Sequence, residues 1–191
     1  MLFRSNDFCP GGALAVDGGD DVVPQINALM GQFASVILTQ DWHPQDHSSF
    51  ADMHPGAAAF TQIDMPYGKQ TLWPRHCVQG TVGAAFHGGL ATDRGQMILR
   101  KGFRSAVDSY SALFENDHVT PTGLQGYLTA RGIRRLTFVG LALDYCVAYS
   151  ALDAARLGFE VAVLHAACRA IDPVGSRARM AEMQAAGVLL E

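Results

Sequence analysis

Four short apolar runs recur along the chain: 35–39 (SVILT), 97–100 (MILR), 136–140 (LTFVG) and 160–164 (EVAVL). Most are continuous rather than alternating, which predicts parallel strands covered on both faces. Between them lie segments with helical spacing. Residues 20–33 carry Val22, Val23, Ile26, Leu29, Met30 and Phe33 on one stripe. A second helix is predicted over 122–131, after Pro121 and before Gly132. A third spans 145–157 and is closed by Gly158, and a fourth spans 176–186 and is closed by Gly187. Alternating strands and helices predict a three-layer α/β sandwich with right-handed crossovers and a central, mostly parallel sheet.

Residues 41–81 break this rhythm with a long stretch rich in His, Pro, Gly and aromatic residues. An irregular stretch that long in a compact domain is usually functional. Open α/β sheets bind ligands beyond the carboxyl ends of their strands. Thr39, Arg100 and Gly140 end three predicted strands, and the chemically richest segments follow them: Asp41–His43, Lys101 and Cys146.

Length and composition narrow the class. The 191 residues fit one domain, 1–191, with room for a full core. The net charge of -4 argues against a nucleic-acid surface or a polybasic membrane surface. No apolar run is long enough to span a bilayer, and the first residues lack the apolar core of a signal peptide. Cys9, Cys77, Cys146 and Cys168 form no CxxC pair. Reduced thiols and a cytoplasmic setting are expected.

Cys146 stands where a hydrophobic strand runs straight into a helix. Unpaired backbone N–H groups and the helix dipole there favour a thiolate. The same N–H groups can hold an oxyanion. A buried, inert thiol is the alternative. Asp41 and His43, two apart in an extended segment, project to one side. His76 as a third ligand would complete a His₂-carboxylate metal site with open positions, and His47 is a candidate fourth ligand or supporting group. His54, His87 and His118 are expected at the surface. Lys101, at a strand end facing the same cleft, is a candidate cation beside the thiol, and the base is expected from the end of the first strand.

Several segments carry a family resemblance: 6–12 (NDFCPGG), 40–50 (QDWHPQDHSSF), 73–81 (WPRHCVQGT), Lys101-Gly102, 107–114 (VDSYSALF) and 140–147 (GLALDYCV). In this order and spacing the chain resembles the nicotinamidase/pyrazinamidase branch of the isochorismatase-like cysteine hydrolases. The resemblance implies that Cys146 attacks an amide carbon with Lys101 as its triad partner. It implies that Asp41, His43 and His76 hold a divalent metal (zinc, iron or manganese). Phe8 and Trp73 would flank a pyridine ring and Tyr145 would line the pocket. Backbone N–H groups of Ala142 and Cys146 would form the oxyanion hole, beside a cis Leu141–Ala142 bond. The implied reaction converts nicotinamide, or pyrazinamide, to the acid and ammonia through a thioester and serves NAD salvage. Homo-oligomers are compatible with it. Related small-amide hydrolysis and metal-dependent ligand binding without turnover are the alternatives.

The match fails at one point. Aligning Asn6-Asp7-Phe8 puts Phe3 where the family carries the triad aspartate, with Arg4 and Ser5 replacing the residues between. Most of the first strand is also missing. The expectation is a truncated or misread start on an otherwise intact enzyme, with reduced turnover in the chain as written. Neither Asp7, expected to serve a local turn, nor Asp144, expected to point toward the loop backbone, replaces the base.

Overall fold

The computed structural model describes residues 2–3 and 5–191, with side chains from residue 5 onward. Its main sheet contains β1 (Leu2–Phe3), β2 (Ile37–Asp41), β5 (Met97–Lys101), β6 (Arg135–Leu141), β7 (Glu160–Arg169) and β8 (Leu189–Leu190). The order is β5-β2-β1-β6-β7-β8, and every pairing is parallel. The helices are α1 (Val22–Met30), α2 (Leu124–Ala130), α3 (Ala148–Arg156) and α4 (Gly175–Ala185). Helix α1 packs on β6 and β7, while α3 packs on β7 and α4. This is the α/β architecture that the alternation predicts.

The short first strand is central. Phe3 is the register partner of Thr39 on β2 and of Gly140 on β6. The backbone of residue 3 therefore lies between β2, which ends at Asp41, and β6, which leads toward Cys146. The side chain of Phe3, on which the missing-aspartate reading turns, lies outside the described residues.

Burial departs from the two-faced expectation at the edge. All five residues of β2 are buried, as its continuous apolar run predicts. Strand β5 instead alternates, with Ile98 and Arg100 facing out and Leu99 and Lys101 facing in. An edge strand has one solvated face, and the two-residue period then carries Lys101 to the same side as Leu99.

Several elements escaped the sequence pattern. Within residues 41–81, β3 (Gln62–Met65) and β4 (Gly68–Thr71) form an antiparallel hairpin. Residues Leu143–Val147 form a π-helical turn that leads into α3, so the helix expected from 145 begins with a wider turn. An apolar cavity of about 190 Å³ lies between the starts of β2 and β6, lined by Ile26, Met30, Ile37 and Leu136 among others. It is at the opposite end of these strands from the clusters of reactive residues. Among the described residues, no helix is long and apolar enough to cross a membrane.

Candidate active site

Strand register builds the centre of the site. Asp41 and Lys101 are direct partners in the β2–β5 ladder. Lys101 Nζ meets Asp41 Oδ1 at 2.6 Å, with the two side chains 1% and 8% exposed. Nζ also donates to the Ser109 carbonyl at 2.6 Å and lies 3.3 Å from Cys146 Sγ. Burial draws the ammonium toward neutrality, but Asp41 and Cys146 outweigh it and hold its pKa above the ordinary lysine value. Lys101 is therefore a fixed cation beside the sulfur.

The thiol differs from the helix-terminus expectation. Cys146 is buried, and burial pushes its pKa up to about 12 although Lys101 pulls the other way. Desolvation of a sulfur anion outweighs the nearby positive charge. The resting group is the thiol.

Past β2 the extended backbone sends Asp41 and His43 to one side and Trp42 to the other. Trp42 lies under the Arg100 guanidinium, 3.8 Å from its ring centroid. Ligand atoms of Asp41, His43 and His76 all lie within 4.8 Å of one another. His43 Nδ1 is 2.8 Å from the Gly102 carbonyl, and His76 Nδ1 is 2.8 Å from that of Pro74. Each carbonyl fixes a tautomer that leaves Nε2 as the free electron pair. Burial holds the His76 pKa down to about 4 and lowers that of His43, so both imidazoles are neutral at pH 7. Two neutral imidazoles and a carboxylate fit a divalent cation.

His47 joins this cluster. Its ring centroid is 4.4 Å from that of His43, and its Nδ1 engages Ser49. Its buried Nε2 meets no hydrogen-bond partner among the described residues. His43, His47 and Asp108 form a second group whose ligand atoms lie within 4.8 Å of one another. Of the three histidines expected at the surface, His118 is exposed. The other two are half-buried: His54 Nε2 is 2.7 Å from the Ser48 carbonyl, and His87 Nδ1 accepts the Gly89 N–H.

One pocket gathers these groups. Phe8, Trp73, Tyr145, Ala142 and Cys146 line it together with Asp41, His43 and His76. Trp73 meets Tyr145 edge-on at 4.8 Å, and Phe8 meets His76 at 5.6 Å. The Leu141–Ala142 peptide is cis. Asp108, Ser109, Tyr110 and Ile171 also line the pocket and were missed as site residues. The first three belong to the 107–114 segment that carries the resemblance, so the signal for them was present. Asp144 binds loop backbone, as expected, and Asp7 binds backbone beyond its own turn as well as within it. Asp7 accepts the N–H groups of Cys77 and Ala13, and Asp144 accepts those of Ile171 and Asp172.

An isochorismatase domain profile matches residues 4–190. The chain belongs to the isochorismatase family. It falls within the nicotinamidase branch, whose members are amidohydrolases. It is 50% identical to a nicotinamidase of Acinetobacter baylyi over 184 residues, covering 96% of this chain and 86% of the relative. The solved nicotinamidase/pyrazinamidase of Acinetobacter baumanii superposes with a TM-score of 0.97 at 50% identity, covering 99% of this chain and 92% of that one. The L. infantum PnC1 structure in complex with nicotinate superposes with a TM-score of 0.87 at 40% identity, over all of this chain and 90% of that one.

Proposed function

We propose that this chain hydrolyses nicotinamide to nicotinate and ammonia through a thioester on Cys146, in the salvage of NAD. The observation that carries the reading is the convergence of Cys146 and the Asp41–His43–His76 donor set on one aromatic pocket, with Lys101 Nζ 3.3 Å from the sulfur, in a chain half identical to a nicotinamidase. Pyrazinamide, a ring of the same shape, is a second expected substrate.

Phe8 and Trp73 hold the ring between them, with Tyr145 against its edge. A divalent ion bound by Asp41, His43 and His76 would supply a positive pole for the ring nitrogen and withdraw electrons from the ring. The Cys146 sulfur adds to the amide carbon, and the N–H groups of Ala142 and Cys146 receive the developing oxyanion. The C–N bond then breaks, and the thiol's proton leaves on ammonia. Water cleaves the thioester, releasing the acid and returning a proton to sulfur. Lys101 steadies the thiolate throughout but, already protonated, accepts no proton itself. In the family pattern the acceptor is the first-strand aspartate. In this chain that position is Phe3, and the nearest carboxylate to Lys101 is Asp41.

Ammonia release from nicotinamide by the metal-loaded protein tests the reading, with Cys146→Ala as the control. Full activity in that variant would refute the nucleophile. Phe3 favours a second reading, a metal-dependent binder of nicotinamide-like rings without turnover. Its signature would be saturable nicotinamide binding with no ammonia formed.

A further inference from the structure

Gln70, on β4, has no part in the chemistry above, yet it is fully buried beside the site. Its Nε2 lies 3.0 Å from Asp108 Oδ2, 2.9 Å from the Tyr110 hydroxyl and 2.7 Å from the Thr71 carbonyl. Its Oε1 accepts from the Tyr67 hydroxyl at 3.2 Å and from Asn116 Nδ2 at 3.1 Å. The partners fix which end of the amide is which. A carboxylate can only accept, and Asn116 spends its own oxygen on the Tyr110 N–H. Gln70 therefore presents its NH₂ to Asp108 and its carbonyl to Asn116.

Each partner leads to a different part of the site. Asp108 faces His43 and His47. Ser109, whose N–H is held by Asp108 Oδ1 at 2.7 Å, offers its carbonyl to Lys101. The Tyr110 hydroxyl accepts the Trp73 indole N–H at 3.1 Å, which orients the ring wall. Asn116 N–H closes the segment onto the Asp108 carbonyl at 2.8 Å.

We propose that Gln70 is a positioning residue: through Asp108 and Tyr110 it fixes, from the β3–β4 hairpin, both the carboxylate beside the histidine cluster and the aromatic wall that grips the ring. The ligand side of this inference rests on the proposed function; the metal side does not. A buried network of this kind rigidifies what it touches, and removal of one member leaves charged or polar partners unsatisfied.

The test compares the full chain with Gln70→Glu and Gln70→Met. Each is loaded with Co²⁺ and titrated with nicotinate, and circular dichroism confirms folding. Gln70→Glu sets a carboxylate against Asp108 and the Thr71 carbonyl, so nicotinate affinity should fall about tenfold or more and the Co²⁺ visible bands should shift. Gln70→Met removes the hydrogen bonds without adding charge and should weaken nicotinate similarly. Parental affinity and spectrum in folded Gln70→Glu or Gln70→Met would overturn the proposal. Should the parent itself fail to bind nicotinate, the functional reading falls, and the Co²⁺ spectra decide the role of Gln70 alone.

Discussion

Asp41 and Lys101 are ladder partners joined at 2.6 Å, so a carboxylate of the candidate metal site is also the counter-ion of the cation beside Cys146. The two halves of the site share one buried side chain. Removing either charge strands the other in a low-dielectric interior, which typically costs about 3–5 kcal/mol. Lys101→Met should lower the urea-unfolding free energy by that order and abolish ammonia release. Unchanged stability in this variant would mean that the pair contributes nothing net to the fold.

Residue 3 is placed by backbone pairing between β2 and β6, opposite Thr39 and Gly140. In the proposed mechanism a carboxylate there would supply the missing proton acceptor. A positioned general base contributes about 10²–10⁴-fold, so Phe3→Asp should raise the rate of ammonia release by a factor in that range. Equal rates in parent and variant would mean that the proton leaves Cys146 by another route.

Metal-free protein should lose stability in mild acid. His76 titrates near pH 4 when folded, below its ordinary 6.5. Its folded form disfavours the proton, so the stabilisation is complete above pH 6.5. It is lost as pH falls from 6.5 toward 4, because the unfolded chain binds the proton first. The amount is about 3 kcal/mol, and burial lowers His43 in the same sense. Denaturant midpoints measured from pH 7.5 to 4 should fall across this window in the parent and fall less in His76→Ala.

Ring affinity should depend on the ion. Chelation followed by gel filtration should abolish nicotinamide or nicotinate binding, and a divalent cation should restore it. Retained affinity in metal-free protein would count against Asp41, His43 and His76 as the ring-orienting site.

The sequence made some parts of this architecture plain and hid others for identifiable reasons. Continuous apolar runs marked β2 and β6, and their ends pointed to Asp41, His43 and Cys146, because the carboxyl ends of parallel strands face one crevice. Lys101 was legible as the strand-end residue of β5. The β3–β4 hairpin was not, since its residues QIDM and GKQT carry little of the apolar signal that marks a core element. Gln70 could not have been found without it, because its partners lie 38 and 40 residues away. Helical spacing revealed α3 but not the π-helical turn before it. The sequence left the resting state of the Cys146 thiol open, because it shows a helix terminus but not the depth of burial.

Gly102 follows Lys101 with φ +63°, and a methyl group there would sit 2.4 Å from His43 Cε1. It is neither acid, base nor ligand, yet alanine would meet both a backbone penalty and the ring that its carbonyl steadies. Random mutagenesis screened for dead enzyme should therefore return Gly102 among the reactive residues. A mutational survey that counted only chemically active side chains would overlook one of the least replaceable positions in the chain.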